Sequence, residues 1–165
     1  MLHHVSVGVA DVARAAQFYD PVLRALGYRR VLEFMPYGIG YGDKHPQFWV
    51  QLPHDRRPAT LGNGVHVAFN AASEAMIQAF HSAALAAGGS DDGAPGPRPD
   101  YGPEYYGAFV RDLDGNKIEA VLVRLPAAAA PKKKARKKGA AKKAKKARAA
   151  KRGGKARGKK ARKRR

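Results

Sequence analysis

Apolar and polar positions alternate near the start of the chain. Val5, Val7 and Val9 alternate with His4, Ser6 and Gly8. A period of two predicts a strand with one apolar face and one small, polar face. The period then changes. Val12, Ala15, Ala16, Tyr19, Val22, Leu23 and Leu26 recur at the spacing of a helix that packs on a sheet. Asp11 stands where an N-cap belongs, and Gly27 where a helix stops. Pro21 falls inside the run and predicts a kink or a division. Three extended segments follow: Tyr28–Phe34, Tyr37–Tyr41 and Pro46–Leu52. In the last, Gln47, Trp49 and Gln51 share one face; Phe48, Val50 and Leu52 share the other.

The same order then returns. After the Asn63-Gly64 turn, Val65, Val67 and Phe69 alternate with His66, Ala68 and Asn70. Ser73 can cap a second helix through Met76, Ile77, Phe80, Ala84 and Leu85 to Gly88-Gly89. Ser90–Gly102 is rich in Gly, Pro and Asp and reads as a long loop, with a strand near Ser90–Asp92 only poorly marked. Tyr105–Arg111 and Lys117–Val123 read as a hairpin around Asp112-Leu113-Asp114-Gly115-Asn116, whose Asp-Gly is a strong turn signal. A shift of 62 residues superposes His4 on His66, Asp11 on Ser73, Phe18 on Phe80, Leu23 on Leu85 and Gly27 on Gly89. One supersecondary unit is used twice. The modules run from about 2 to 53 and from 63 to 124, within an α+β domain over residues 1–124.

Two similar modules can pair about a pseudo-two-fold axis, with their sheets curving around a shared cleft. Equivalent positions then come together, which places His4 near His66. The polar residues of the two last strands are Gln51 and Glu119, separated by 68 rather than 62, and the long loop supplies the six extra residues. Two imidazoles, one carboxylate and one amide form a metal-ligand set with open positions. Imidazole suits zinc, iron, nickel and copper; the hard oxygen of Glu119 widens the choice to cobalt and manganese. The bland readings are a structural histidine on each strand, a Gln51 that hydrogen-bonds within the cleft, and a Glu119 paired with an arginine. His3 is adjacent to His4 and replaces it if the strand shifts by one residue. Trp49, Phe48, Met35, Tyr37, Tyr41, Tyr105 and Tyr106 are candidate pocket residues, although most aromatics belong to cores. His45, His54 and His81 read as loop or helix-surface residues.

Charge changes the picture at one end. Residues 131–165 hold 21 of the 32 Lys and Arg and no Asp or Glu, which leaves 11 basic and 13 acidic residues before them. All 14 aromatics lie at or before Phe109, so the front of the chain can build a core and the end cannot. Residues 125–131 read as a linker and 132–165 as a disordered Lys/Arg/Ala-rich tail. Such a tail suits non-specific binding of nucleic acid or another polyanion through phosphate contacts. Without aromatics it has nothing to stack on bases. The chain has no cysteine, hence no disulfide and no thiolate ligand. No segment reads as a signal peptide or a membrane span. The expectation is a soluble cytoplasmic protein, drawn to the nucleoid by its tail.

Four segments together resemble the vicinal oxygen chelate superfamily, which includes glyoxalase I, bleomycin-resistance proteins and extradiol dioxygenases. They are Leu2 to Asp11, Ala16-Gln17-Phe18-Tyr19, Gly64 to Phe69 and Phe109 to Glu119. The resemblance implies paired βαβββ modules forming an open, cupped sheet around a metal cleft, built within one chain or across a homodimer. It carries the metal positions to His4, Gln51, His66 and Glu119, with Glu119 also the proton-shuttling, catalytic carboxylate. In extradiol-like members the set reduces to His4, His66 and Glu119. The implied activity is metal-dependent lyase, isomerase or dioxygenase chemistry on a small oxygenated substrate with a divalent Zn, Ni, Co, Mn or Fe ion. A metal-free protein that sequesters a small ligand is the alternative. A nucleoid- or RNA-associated protein with a non-catalytic cupped domain is another. The tail resembles the Lys/Ala-rich tails of linker histones and bacterial histone-like proteins.

Overall fold

A computed structural model of the protein describes residues 2–124; the linker and tail expected at 125–131 and 132–165 lie outside them. Strand β1 (Val5–Gly8) leads into helix α1 (Val12–Arg24), then β2 (Arg29–Phe34), β3 (Gly38–Gly42) and β4 (Pro46–Gln51). The second module repeats this order with β5 (His66–Asn70), α2 (Glu74–Ala86), β6 (Ser90–Pro97), β7 (Tyr105–Arg111) and β8 (Lys117–Val123). Two four-stranded mixed sheets result, ordered β1-β4-β3-β2 and β5-β8-β7-β6. In each, the module's first strand pairs parallel with its last, while the other neighbours run antiparallel. This is the α+β pair of βαβββ modules that the repeat implies.

The two helices have matched starts. The Asp11 carboxylate accepts from the Arg14 amide, and the Ser73 hydroxyl accepts from the Met76 amide, so each satisfies one orphan donor of a first turn. Both helices are 13 residues long. Pro21 stays within α1 without dividing it. Their apolar faces, Phe18, Val22 and Leu23 on α1 and Ile77, Phe80 and Ala84 on α2, are buried against the sheets. The cores of the two modules are continuous: Phe48 of β4 meets Phe69 of β5 edge to face at 5.0 Å.

One expected loop is a strand. Residues 90–97 form edge strand β6 against β7, although they include Gly93, Pro95, Gly96 and Pro97. The register slips twice along the pair, between Asp91 and Gly93 and between Gly93 and Gly96. An edge position tolerates such residues because only one side needs ladder hydrogen bonds. The loop signal was therefore sound as chemistry but wrong as topology.

The turn at 112–116 holds more than a hairpin. Asp112 is 6% exposed, and its Oδ1 accepts from the Asp114 and Asn116 amides. Its Oδ2 accepts from the Tyr19 hydroxyl at 2.6 Å and from the Asn116 side chain at 2.9 Å. Asn116 also donates to the Gly8 carbonyl, and Asp114 accepts from the Ala10 amide and pairs with Arg14 at 2.6 Å. The turn of the second module is thereby fastened to the β1–α1 junction of the first. A buried carboxylate with four donors meets the cost of its own desolvation.

Candidate functional site

Each sheet has a core face and an opposite face. On the first sheet the opposite face carries His4, Ser6 and Gly8 beside Gln47, Trp49 and Gln51, as alternation requires. Glycines of β3 lie next to them, level with Trp49 (Gly40) and Gln51 (Gly38). A Cβ at Gly40 would come 2.9 Å from the Trp49 ring, so the glycine lets the indole lie against the sheet. Phe34 of β2 stacks on Trp49 with 6.0 Å between centroids and 18° between planes.

On the second sheet the corresponding face can be read as rows across the strands. His66, Lys117 and Arg111 stand in one row. Two residues along, Ala68, Glu119 and Phe109 form the next. Glu119 is 1% exposed, with its Oε2 3.3 Å from the His66 Nε2. The Tyr105 hydroxyl donates to its Oε1 at 2.5 Å. Burial, followed by the contact with Glu119, pushes the Tyr105 hydroxyl pKa up, so the phenol keeps its proton and remains the donor. A Cβ at Gly107 would sit 3.0 Å from Oε1; glycine leaves the carboxyl its room. Glu119 is thus a buried carboxylate fixed on one oxygen by a phenol and facing a half-exposed imidazole with the other.

The four candidate ligands divide between the sheets. His66 and Glu119 are together. His4 turns its Nδ1 to the Nδ1 of His3 at 2.9 Å, and the His3 ring lies 5.9 Å from that of His45. Gln51 is level with Gly8, whereas His4 precedes the Val5–Phe48 pair. Four strand residues, roughly 13 Å, therefore separate His4 from Gln51 along the sheet. The register also resolves which positions correspond. Glu119 lies two residues beyond the partner of His66, and in the first sheet the same relation joins Ser6 to Gln51 or His4 to Trp49. His4 and Gln51 together do not reproduce the His66–Glu119 pair. Among the described residues no group of three His, Cys, Asp or Glu side chains is placed to hold a metal ion.

Of the candidate pocket aromatics, Trp49 and Tyr105 lie on the faces away from the core. Phe48 and Tyr41 are core, Tyr106 packs against it, and Met35 and Tyr37 are exposed. His81 is no surface residue: its side chain is 11% exposed, and its Nε2 is 2.7 Å from Asp91 Oδ1. Sequence reasoning missed Lys117, Arg111 and Phe109 beside Glu119, and had Tyr105 as a candidate pocket residue without its contact to Glu119. The alternation along β7 and β8, once registered across the hairpin, contains all four. A cleft of about 500 Å³ opens over this face, lined by His66, Tyr101, Phe109, Arg111 and Lys117 together with residues 61–65. A larger one, about 900 Å³, lies beside Gln51, Tyr37 and the His54–Ala59 segment.

The geometry can be compared with known proteins. Residues 1–120 match the family model described as Glyoxalase/Bleomycin resistance protein/Dioxygenase superfamily. A glyoxalase/bleomycin resistance protein from Albidiferax ferrireducens T118 is 37% identical, with a TM-score of 0.66 over 73% of this chain and 97% of that one. A putative glyoxalase from Bacillus halodurans is 25% identical, with a TM-score of 0.55 over 73% and 94%. A lactoylglutathione lyase from Agrobacterium tumefaciens shares the fold at 18% identity, with a TM-score of 0.54 over 73% and 92%. No curated protein matches the chain.

Proposed function

The chain belongs to the glyoxalase/bleomycin resistance protein/dioxygenase superfamily, and we propose that it is a metal-dependent enzyme of lyase, isomerase or dioxygenase type acting on a small oxygenated substrate. The observation that carries this reading is the His66–Glu119 contact. An imidazole nitrogen and a carboxylate oxygen 3.3 Å apart have the separation of two adjacent ligands around an ion with bonds of about 2.1 Å. A buried carboxylate on an otherwise apolar strand also has few uses unless something positive or protic faces it. The donor set suits zinc, nickel, cobalt, manganese or iron. Such an ion, when bound, polarises a carbonyl or enediolate oxygen or acidifies a water.

The residues have separable tasks. His66 would offer a ring nitrogen to such an ion. Glu119 offers an oxygen and is the group placed to take a proton from the substrate and return it. Tyr105 fixes the carboxyl in one orientation, which lowers the reorganisation that proton transfer would otherwise require. Two donors are half of a ligand set. His4 and Gln51 stand on the other sheet four strand residues apart, so no more than one of them joins this pair; a second copy of the chain is the simplest source of that donor, and the cleft forms across a homodimer. The tail at 132–165 holds the enzyme on nucleic acid by phosphate contacts, in the cytoplasm at the nucleoid.

Metal content tests the reading. Protein made without a histidine tag is reconstituted with each of the five ions, desalted and analysed by elemental mass spectrometry. One ion retained per cleft is expected, with loss in His66→Ala and Glu119→Gln. No retained ion in the folded wild type overturns the enzyme reading in favour of a metal-free binding protein.

A further inference from the structure

Lys117 and Arg111 face each other across the β7–β8 ladder, and His66 is level with Lys117 on β5. Three basic side chains thus stand side by side on one face. Like charges directly opposite on neighbouring strands destabilise a sheet. The carboxylate that counters them is Asp92 of β6, whose Oδ2 lies 3.0 Å from Lys117 Nζ and 3.3 Å from Arg111. That oxygen is buried and forms no hydrogen bond in either contact. One carboxylate is therefore set against two permanent cations, of which Arg111 also donates from Nη1 to the Gly115 carbonyl at 3.1 Å. Lys117 is further held in place over the Phe109 ring, 4.7 Å from its centroid, so its stem is ordered. His66, Lys117, Arg111 and Phe109 line the 500 Å³ cleft, a volume that suits a small-molecule ligand.

We propose that Lys117 and Arg111 bind a carboxylate group of the substrate, which makes the substrate an organic acid. This rests on the reading of His66, which lines the cleft, and of Glu119 in contact with it as the reacting end. The cationic row is two strand residues from Glu119, roughly 7 Å along the sheet. The substrate's carboxylate is therefore a few bonds removed from the carbon that Glu119 serves, and it is distinct from the oxygens that chelate the ion. With Nη1 of Arg111 held by the Gly115 carbonyl, its Nε–Nη2 edge is the side that suits the two oxygens of a carboxylate, and the Lys117 ammonium adds a point charge. Lys117 and Arg111 are binding residues in this scheme and take no part in proton transfer.

The test compares lactate with lactamide, an acid and its neutral counterpart, on the metal-free full-length chain. Ionic strength is held constant with chloride, and the unfolding temperature is followed against ligand concentration. The unfolding transition reads ligands held by the folded domain, and comparison between variants cancels whatever the tail binds. Lactate is expected to raise the unfolding temperature and lactamide to require about tenfold higher concentration for the same rise, the value of one charge-assisted contact. Lys117→Gln and Arg111→Gln each lose most of the lactate effect, and Lys117→Arg keeps it. Lactate binding is read on the metal-free chain, so it stands even where metal retention fails. Equal effects of lactate and lactamide, or an undiminished lactate effect in both glutamine variants, would overturn the proposal and leave the metal reading untouched.

Discussion

Tyr105 and Glu119, neighbours on the β7–β8 hairpin, are joined by a 2.5 Å hydrogen bond in which the phenol donates to a carboxylate only 1% exposed. Tyr105→Phe removes that donor and leaves Glu119 Oε1 buried without its partner. The expected loss of stability is about 1–3 kcal/mol, read from urea unfolding. In the metal-loaded protein the same variant lowers turnover more than substrate affinity, since it loosens the carboxyl without removing it.

Asp112 has the larger effect on folding. It gathers the Tyr19 hydroxyl, the Asn116 side chain and two turn amides. Asp112→Ala strands the Tyr19 hydroxyl in the core and unpins the turn, with an expected cost of about 3 kcal/mol or more. Tyr19→Phe removes one of four donors and costs about 1 kcal/mol. Comparable losses in the two variants would show that the turn does not depend on the carboxylate.

Asp20 sets part of the acid limb of stability. Burial would raise its pKa, but hydrogen bonds from Arg30 at 2.6 and 2.8 Å and from Tyr41 at 3.0 Å outweigh burial and hold it below the ordinary carboxylate value. A carboxylate whose folded pKa is depressed contributes stability above its unfolded pKa, near ~3.9, and loses it as pH falls through the folded value. Asp20→Asn therefore flattens the decline in unfolding temperature below about pH 4. An unchanged acid limb in this variant would remove Asp20 from the account.

Trp49 is the single tryptophan and reports directly on the first sheet. Gly40→Ala places a methyl 2.7 Å from Pro46 Cβ and 2.9 Å from the indole. The ring must lift from the sheet and from its stack on Phe34. A red shift in emission and a loss of about 1–3 kcal/mol are expected. Emission unchanged from the wild type would mean that the sheet, and not the indole, yields.

On the proposed role of the tail, removal of residues 132–165 is expected to abolish binding to duplex DNA in a gel-shift series, and the full chain is expected to lose affinity between 50 and 200 mM salt by about 1000-fold or more if six or more phosphates are contacted. Equal affinity of the two proteins would place the nucleic-acid contact elsewhere.

Much of the fold was legible because its signals are local. The alternation of Val5, Val7 and Val9, the caps Asp11 and Ser73 and the Asp-Gly turn each report on a few neighbouring residues, and the bounds of β7 and β8 follow from them. β6 was hidden because Gly93, Pro95 and Pro97 carry turn chemistry, and only the sheet edge decides otherwise. The repeat gathered His4, Gln51, His66 and Glu119 into one cluster, and of these four His66 and Glu119 are in contact. The separation of His4 from Gln51 was not legible, because an offset in sequence fixes which residues share a face but leaves open how far one strand slides along another. A difference of 62 for the first strands and 68 for the last cannot both mark equivalent points once β1 is registered on β4. Lys117 and Arg111 were missed for a related reason: a pair of cations becomes visible only after two strands are laid side by side.

The bonds from Asp114 and Asn116 to Ala10, Arg14 and Gly8 span 100 to 108 residues of sequence. Folding therefore has a late step that local structure cannot hasten, since a contact over such a separation waits on closure of nearly the whole domain. Cutting the chain between residues 53 and 63 is expected not to yield two independent folding units, in spite of the repeat. The first fragment lacks the partner of its buried Tyr19 hydroxyl until the second arrives, and mixing the two is expected to restore a cooperative transition that neither shows alone.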